Sequence, residues 1–325
     1  MFISKEQAIC KINEFGRKRK PFLFVVDFTQ VRSVVFSPQE AASKGIFFTV
    51  PGIANYPFLP EVVTSFSFNL IPVSYEIYLK SFNLVMWHLR RGDTYLVNLT
   101  FPTQIATNLS LASLFGHGKA PFKLLFQDQF VVFSPEIFVI IRDGKIFSYP
   151  MKGTIDASVD NAEIRILEDE KERFEHNTIV DLIRNDLAMV SCKVEVTRFR
   201  YIDRIKTNRK ELLQVSSEIC GRLPKDYHSH LGDILFTLLP AGSITGAPKE
   251  KTVQIIQQAE IYERGFYSGI FGYFDGNSLS SAVMIRFIEN TDGKLFFKSG
   301  GGITALSDPE MEYRELMDKV YVPIV

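Results

Sequence analysis

The sequence predicts an α+β fold built on antiparallel sheet. Two-residue turn signals join short strand-like runs into hairpins, helical patterns come in blocks, and no strand–helix alternation of the doubly wound kind runs along the chain. Ser4 is placed to cap a first helix over residues 5–15. Apolar and aromatic runs predict strands over 22–28, 33–36 and 46–50, followed by a turn-rich segment, 53–60. Apolar positions at helical spacing predict a helix over 75–90, which Gly92-Asp93 stops, and a strand follows over 95–101. The middle of the chain reads as hairpins: 122–126, 130–133 and 137–142, then Asp143-Gly144 as a tight turn into 145–149. One helical block spans 161–186, and strands recur over 193–201 and 212–222. A helix opens at Gly246-Ala247-Pro248, with proline in its first turn. Strands over 267–274, 280–289 and 295–298 precede a last helix over about 308–321.

The chain has 325 residues, 46% of them hydrophobic, which suffices for a large buried core. Its 37 basic and 37 acidic side chains cancel, so there is no electrostatic footprint for nucleic acid or an acidic membrane. The dense basic run Arg17-Lys18-Arg19-Lys20 reads as a solvated helix end. Cys10, Cys192 and Cys220 are too scattered for a disulfide framework or a zinc site. The apolar run after the charged first 20 residues stops at Asp27, too short for a signal-peptide core, and no run is long enough to span a membrane. These features together predict a reduced, soluble, cytoplasmic protein.

Two carboxylate pairs stand out. Glu172 and Glu175 are three apart on a predicted helix, as are Glu312 and Glu315 on the last one, so each pair shares a face. Either pair alone is ordinarily a solvated face. Four carboxylates converging on one place would need a cation, and oxygen ligands without histidine suit Mg²⁺. Gly300-Gly301-Gly302 lies between a strand and a helix; it is a flexible turn, or a place where backbone N–H groups approach an anion. The run from Gly242 to Lys249 leads into a helix N-terminus but does not match a P-loop. Lys152, in Pro150-Met151-Lys152-Gly153-Thr154, matters only if its loop folds into a pocket.

Taken together, these segments resemble the chorismate-binding enzyme family, which includes anthranilate, aminodeoxychorismate, isochorismate and salicylate synthases. Lys171-Glu172-Arg173-Phe174-Glu175-His176 with Val180-Asp181-Leu182-Ile183-Arg184-Asn185-Asp186 resembles one family signature. Pro240 to Lys249, Arg264 to Gly269, and Ser299 to Ile303 with Ser307-Asp308-Pro309 and Glu312-Tyr313-Arg314-Glu315 resemble three more, in the family's order. The likeness runs from about residue 74 to the C-terminus. It implies one catalytic domain over 1–325, with a short, divergent part over 1–73 and a motif-bearing core over 74–325. The implied fold has two large antiparallel sheets face to face with helices outside. Glu175 and Glu315 would bind Mg²⁺ most directly, with Glu172 and Glu312 acting through waters. Tyr267, Arg286 and the backbone of Gly300, Gly301 and Gly302 would hold the enolpyruvyl carboxylate of chorismate, and Thr245 would line the site.

Within the family, Lys152 resembles the lysine of the aminodeoxychorismate synthase branch, where related enzymes carry alanine. The resemblance implies covalent catalysis, with Lys152 attacking C2 and Glu136 protonating the departing C4 hydroxyl. Burial or a nearby cation is expected to lower the lysine's pKa, and the glutamates to oppose this. Leu96 stands where isochorismate synthases place a lysine base, and Gln214 where a histidine is usual. The expected product therefore keeps its enolpyruvyl group and belongs to p-aminobenzoate and folate biosynthesis. With no glutaminase signature, the chain is expected to take ammonia from a separate glutamine amidotransferase or from solution. An anthranilate synthase component, or a chorismate-binding protein without turnover, remains the alternative.

Overall fold

The computed structural model describes residues 1–56, 66–206 and 211–323. The predicted turn-rich segment extends beyond residue 56, outside the described residues. The α+β prediction holds: the described strands form two nine-stranded sheets, and their pairings are antiparallel.

The strand Phe22–Val26 shows how the sheets pack. Leu23 and Val25 join a cluster with Phe48, Leu124 and Val132 of the second sheet and with Phe271 of their own. Phe22, Phe24 and Val26 point the other way, into a cluster shared with Ala8, Ile12, Leu231 and Leu235 on helices. Alternate side chains leave opposite faces of a strand, and both faces here are covered, so all five residues are buried. Ring contacts bridge the sheets, with Phe48 5.2 Å from Tyr273 and Phe122 6.4 Å from Phe271 between centroids. The outer face of the second sheet is covered partly by the helix Leu111–His117, whose Leu114 and Phe115 cluster with Val131 and Phe133.

Three differences from the sequence prediction matter for the site. The expected strand over 280–289 is two strands, Leu279–Val283 in the first sheet and Phe287–Thr291 in the second. The chain changes sheets between them, and Arg286 takes a left-handed conformation there, φ 51°. Arg286 interrupts the apolar stretch there, but one charged residue in a strand-like run does not by itself mark a crossing. The helical block over 161–186 is two helices, Ala162–Glu168 and Glu170–Val190. Asp169 separates them and caps the second, accepting from Glu172 N at 2.9 Å, which sets the phase of the Glu172–Glu175 face. Lastly, Gly300–Gly302 are not a turn: they continue the strand Lys294–Ile303, opposite Thr100, Leu99 and Asn98.

Helix packing on the first sheet has a testable tight point. The first helix, Lys5–Arg17, buries Gly16 against His228 and Leu231. Alanine would improve helix propensity by at most about 1 kcal/mol. Its β-carbon, however, would lie 2.2 Å from the His228 carbonyl oxygen and 2.9 Å from Leu231 Cδ1. Overpacking typically costs about 1–3 kcal/mol, so Gly16→Ala should lower the urea midpoint; a midpoint at or above the wild-type value would contradict this packing.

Candidate active site

Lys152 lies on the strand Met151–Asp156, which pairs with Glu211–Arg222. The pairing register shifts between Lys152 and Thr154, and Gly153 at that bulge has φ 76°. Bulges re-aim side chains, and glycine adopts positive φ without strain. A β-carbon at Gly153 would also lie 3.3 Å from Glu172 Oε2, so its absence lets the carboxylate helix approach. From there Lys152 Nζ sits 3.2 Å from Glu175 Oε2, with the two side chains 20% and 7% exposed. Burial disfavours the ammonium form, but Glu175 above all, with Glu172 and Glu136, outweighs it and raises the lysine above its ordinary value. The expected lowering is therefore not met: the three carboxylates outweigh desolvation.

The glycines of the strand Lys294–Ile303 form a floor between two charged clusters. A β-carbon at Gly302 would meet Leu96 Cδ1 at 3.1 Å, Lys152 Nζ at 3.3 Å and Glu175 Oε2 at 3.4 Å. At Gly301 it would meet Glu312 Oε2 at 3.5 Å, Lys319 Nζ at 3.7 Å and Glu315 Oε1 at 3.8 Å. Glu312 and Glu315 come from the helix Pro309–Asp318. Glu312 Oε1 accepts from Ser307 Oγ at 2.7 Å. Lys319 Nζ is 2.6 Å from Glu315 Oε1 and donates to Gly300 O at 3.1 Å. The sequence prediction missed Lys319, although its position four residues after Glu315 was a legible signal.

Glu136 sits on the turn between the strands Phe130–Ser134 and Ile137–Arg142, where its N–H donates to Ser134 Oγ at 3.1 Å. Its Oε1 accepts from Ser243 Oγ. Burial pushes this carboxyl up; the Ser243 hydrogen bond and the charges of Lys152, Arg286 and Lys319 pull it down without cancelling the effect. Arg286 Nη1 donates to Lys319 O at 3.4 Å, and its guanidinium lies 4.8 Å from the Tyr321 ring centre. Tyr267 is buried, its ring 5.9 Å from that of Phe287 between centroids and tilted by 64°, and burial raises its phenol despite the nearby Arg264. Thr245 is fully buried and donates its hydroxyl to Ala241 O at 2.9 Å, so it holds its own loop together. Gln214 pairs across the sheet with Thr154, two residues beyond Lys152.

Thus Lys152, Glu172, Glu175 and Gly302 meet in one cluster, and Gly301, Glu312, Glu315 and Lys319 in the adjoining one. Glu136 senses the cations of both. Among the described residues no group of three histidines, cysteines or carboxylates is arranged to hold a metal ion. Ammonium groups occupy Glu175 and Glu315 instead.

Residues 54–324 match the model of the chorismate binding enzyme family. The chain belongs to that family. An uncharacterised PabA-like protein of Pasteurella multocida is 53% identical over 99% of this chain and 100% of its own length. Aminodeoxychorismate synthase component 1 of Bacillus subtilis is 30% identical over 84% of this chain but only 59% of its own length. Anthranilate synthase component 1 of Aquifex aeolicus is 37% identical over 57% of this chain and 38% of its own length. The fold is shared with the menaquinone-specific isochorismate synthase of Escherichia coli, at TM-score 0.73 and 16% identity over 98% of this chain and 82% of that one.

Membership makes chorismate binding the measurement for the glycine floor. Gly302→Ala places a methyl group against Lys152, Glu175 and Leu96. It should weaken chorismate binding about tenfold, roughly 1.4 kcal/mol, with a near-normal melting temperature. Unchanged affinity would show that ligand does not reach this face.

Proposed function

We propose that this chain aminates chorismate at C4, giving 4-amino-4-deoxychorismate, as one catalytic domain. The observation that carries this is Lys152, brought by a glycine bulge onto Glu175 beside the glycine floor. Leu96, 3% exposed, completes that corner and has no group to activate water for isochorismate formation.

In this scheme the Lys152 amine forms a bond to C2, the ring double bonds shift toward C4, and the C4–O bond breaks. Glu136 gives the departing hydroxide a proton, so water leaves. Its raised carboxyl suits that task, since it retains a proton at a pH where an exposed glutamate has lost one. Ammonia then bonds to C4, the double bonds shift back, and Lys152 departs as the free amine. The new C4 ammonium returns a proton to Glu136. The cycle thus consumes chorismate and ammonia and releases product and water, with both side chains restored.

Gly300 O accepts from Lys319, so this residue faces away from its paired strand. In a strand the N–H and C=O of one residue point the same way, so the Gly300 N–H is directed there too and suits a carboxylate, with Arg286 and Tyr267 as further partners. Glu175 and Glu315, with Glu172 and Glu312 through waters, would hold Mg²⁺. Their all-oxygen chemistry suits a hard cation, which would have to displace Lys152 from Glu175 and Lys319 from Glu315 to gather them. Bound there, the ion would neutralise the ring carboxylate of chorismate. A separate glutaminase in the cytoplasm would supply ammonia. The partial identity to an anthranilate synthase favours a second reading, in which pyruvate is lost and anthranilate forms.

Mass analysis after incubation with chorismate, Mg²⁺ and ammonium decides between them. Aminodeoxychorismate without pyruvate is expected; anthranilate with pyruvate would overturn the proposal. Lys152→Ala should slow amination about a thousandfold, near 4 kcal/mol in the barrier, and undiminished turnover would remove the covalent role. Because the Lys319 ammonium occupies Glu315, Lys319→Ala should bind Mg²⁺ about tenfold more tightly without substrate. Calorimetric titration measures this, and equal affinity would show that lysine and metal do not compete.

A further inference from the structure

We infer that Ser243 positions the proton of Glu136, presenting one carboxyl oxygen to the substrate by holding the other. This rests on the proposed role of Glu136 as the proton donor. A carboxylic acid has one oxygen that carries the proton and one that accepts. In this arrangement Ser243 Oγ donates to Oε1, so Oε1 accepts and Oε2 is the oxygen that would carry the transferable proton.

Such a contact orients a side chain only if its own loop is rigid, and this loop is held from three sides. Lys249 Nζ lies 2.7 Å from Asp186 Oδ2 on the helix Glu170–Val190 and donates to Leu238 O at 2.8 Å. Fully buried Arg264, paired with Glu260 at 2.7 Å, donates to Ile244 O at 2.9 Å and to Asn98 O at 2.6 Å. Thr245 closes the loop on Ala241. Two anchored cations thereby fix the backbone on either side of Ser243. Catalytic groups held by locked neighbours keep productive geometry. Behind Glu136 and Ser243 lies a small cavity lined also by Asp186, Ser148 and Tyr149. A free carboxyl could turn toward it; the Ser243 hydrogen bond opposes that rotation.

The hydroxyl also has an electrostatic effect. It stabilises the carboxylate, so removing it raises Glu136 further, while Lys152, Arg286 and Lys319 still face the group and Asp186 still shares its cavity. Activity that needs protonated Glu136 is lost as pH rises through its pKa, so this limb moves to higher pH when the hydroxyl is removed.

The test uses the full chain with chorismate, Mg²⁺ and ammonium, so no partner is required. Ser243→Ala should lower kcat about tenfold, leave KM for chorismate within about twofold, and move the alkaline limb of kcat upward. Ser243→Thr, which keeps the hydroxyl, should restore most of kcat and the original limb. Wild-type kcat in Ser243→Ala, or a lower kcat with an unmoved limb, would overturn the inference. If Ser243→Ala does not fold, Ser243→Cys decides, because the weaker thiol donor should give an intermediate kcat and limb. Glu136→Gln separates the two levels: full turnover there removes the Glu136 role itself, whereas a dead Glu136→Gln beside a fully active Ser243→Ala removes only the positioning role.

Discussion

The site depends on charges of opposite sign neutralising one another out of water. Removing a carboxylate from solvent costs several kcal/mol unless a cation accompanies it. Lys152 sits on Glu175, Lys249 on Asp186 and Arg264 on Glu260, all largely buried, while Lys319 meets Glu315 at the solvent edge. Each pair also spans two parts of the fold or braces one helix end. A sheet strand meets a long helix through Lys152, and the first residue of the helix Lys249–Ala259 meets the same helix. The electrostatic requirement and the spatial organisation of the site are therefore the same set of contacts.

Glycine allows the clusters to come together. Gly153 supplies the bulge that aims Lys152 and clears space for Glu172. Gly301 and Gly302 then let two acidic helices approach one strand from different directions. A side chain at either position would fill space where charge, metal or substrate must stand.

Much of this was legible in the sequence. The hairpins, the helix over Tyr75–Arg90 and the strand over Ile137–Arg142 follow from periodicity and turn residues. The two glutamate pairs follow from three-residue spacing; the structure sets Glu175 against Gly302 and Glu312 and Glu315 against Gly301. The rest depended on tertiary context. The helix Leu231–Leu238 was missed, because its polar stripe is only Asp233 and Thr237, too short a pattern to separate a helix from a buried strand. Ser243 lay inside the Gly242–Lys249 run with no role assigned, because its partner is a carboxylate 107 positions away. The lysine's net electrostatics required knowing that three carboxylates surround it.

The crossing between Leu279–Val283 and Phe287–Thr291 has a mechanical consequence. Arg286 belongs to neither sheet, and its guanidinium lies against the chain end at Lys319 and Tyr321. An anion gripped by Arg286 would therefore act as a rivet through both leaves of the sandwich and the C-terminal segment at once. Occupancy of one small site would then be felt as resistance to opening throughout the molecule, with slower amide exchange in strands far from any ligand atom.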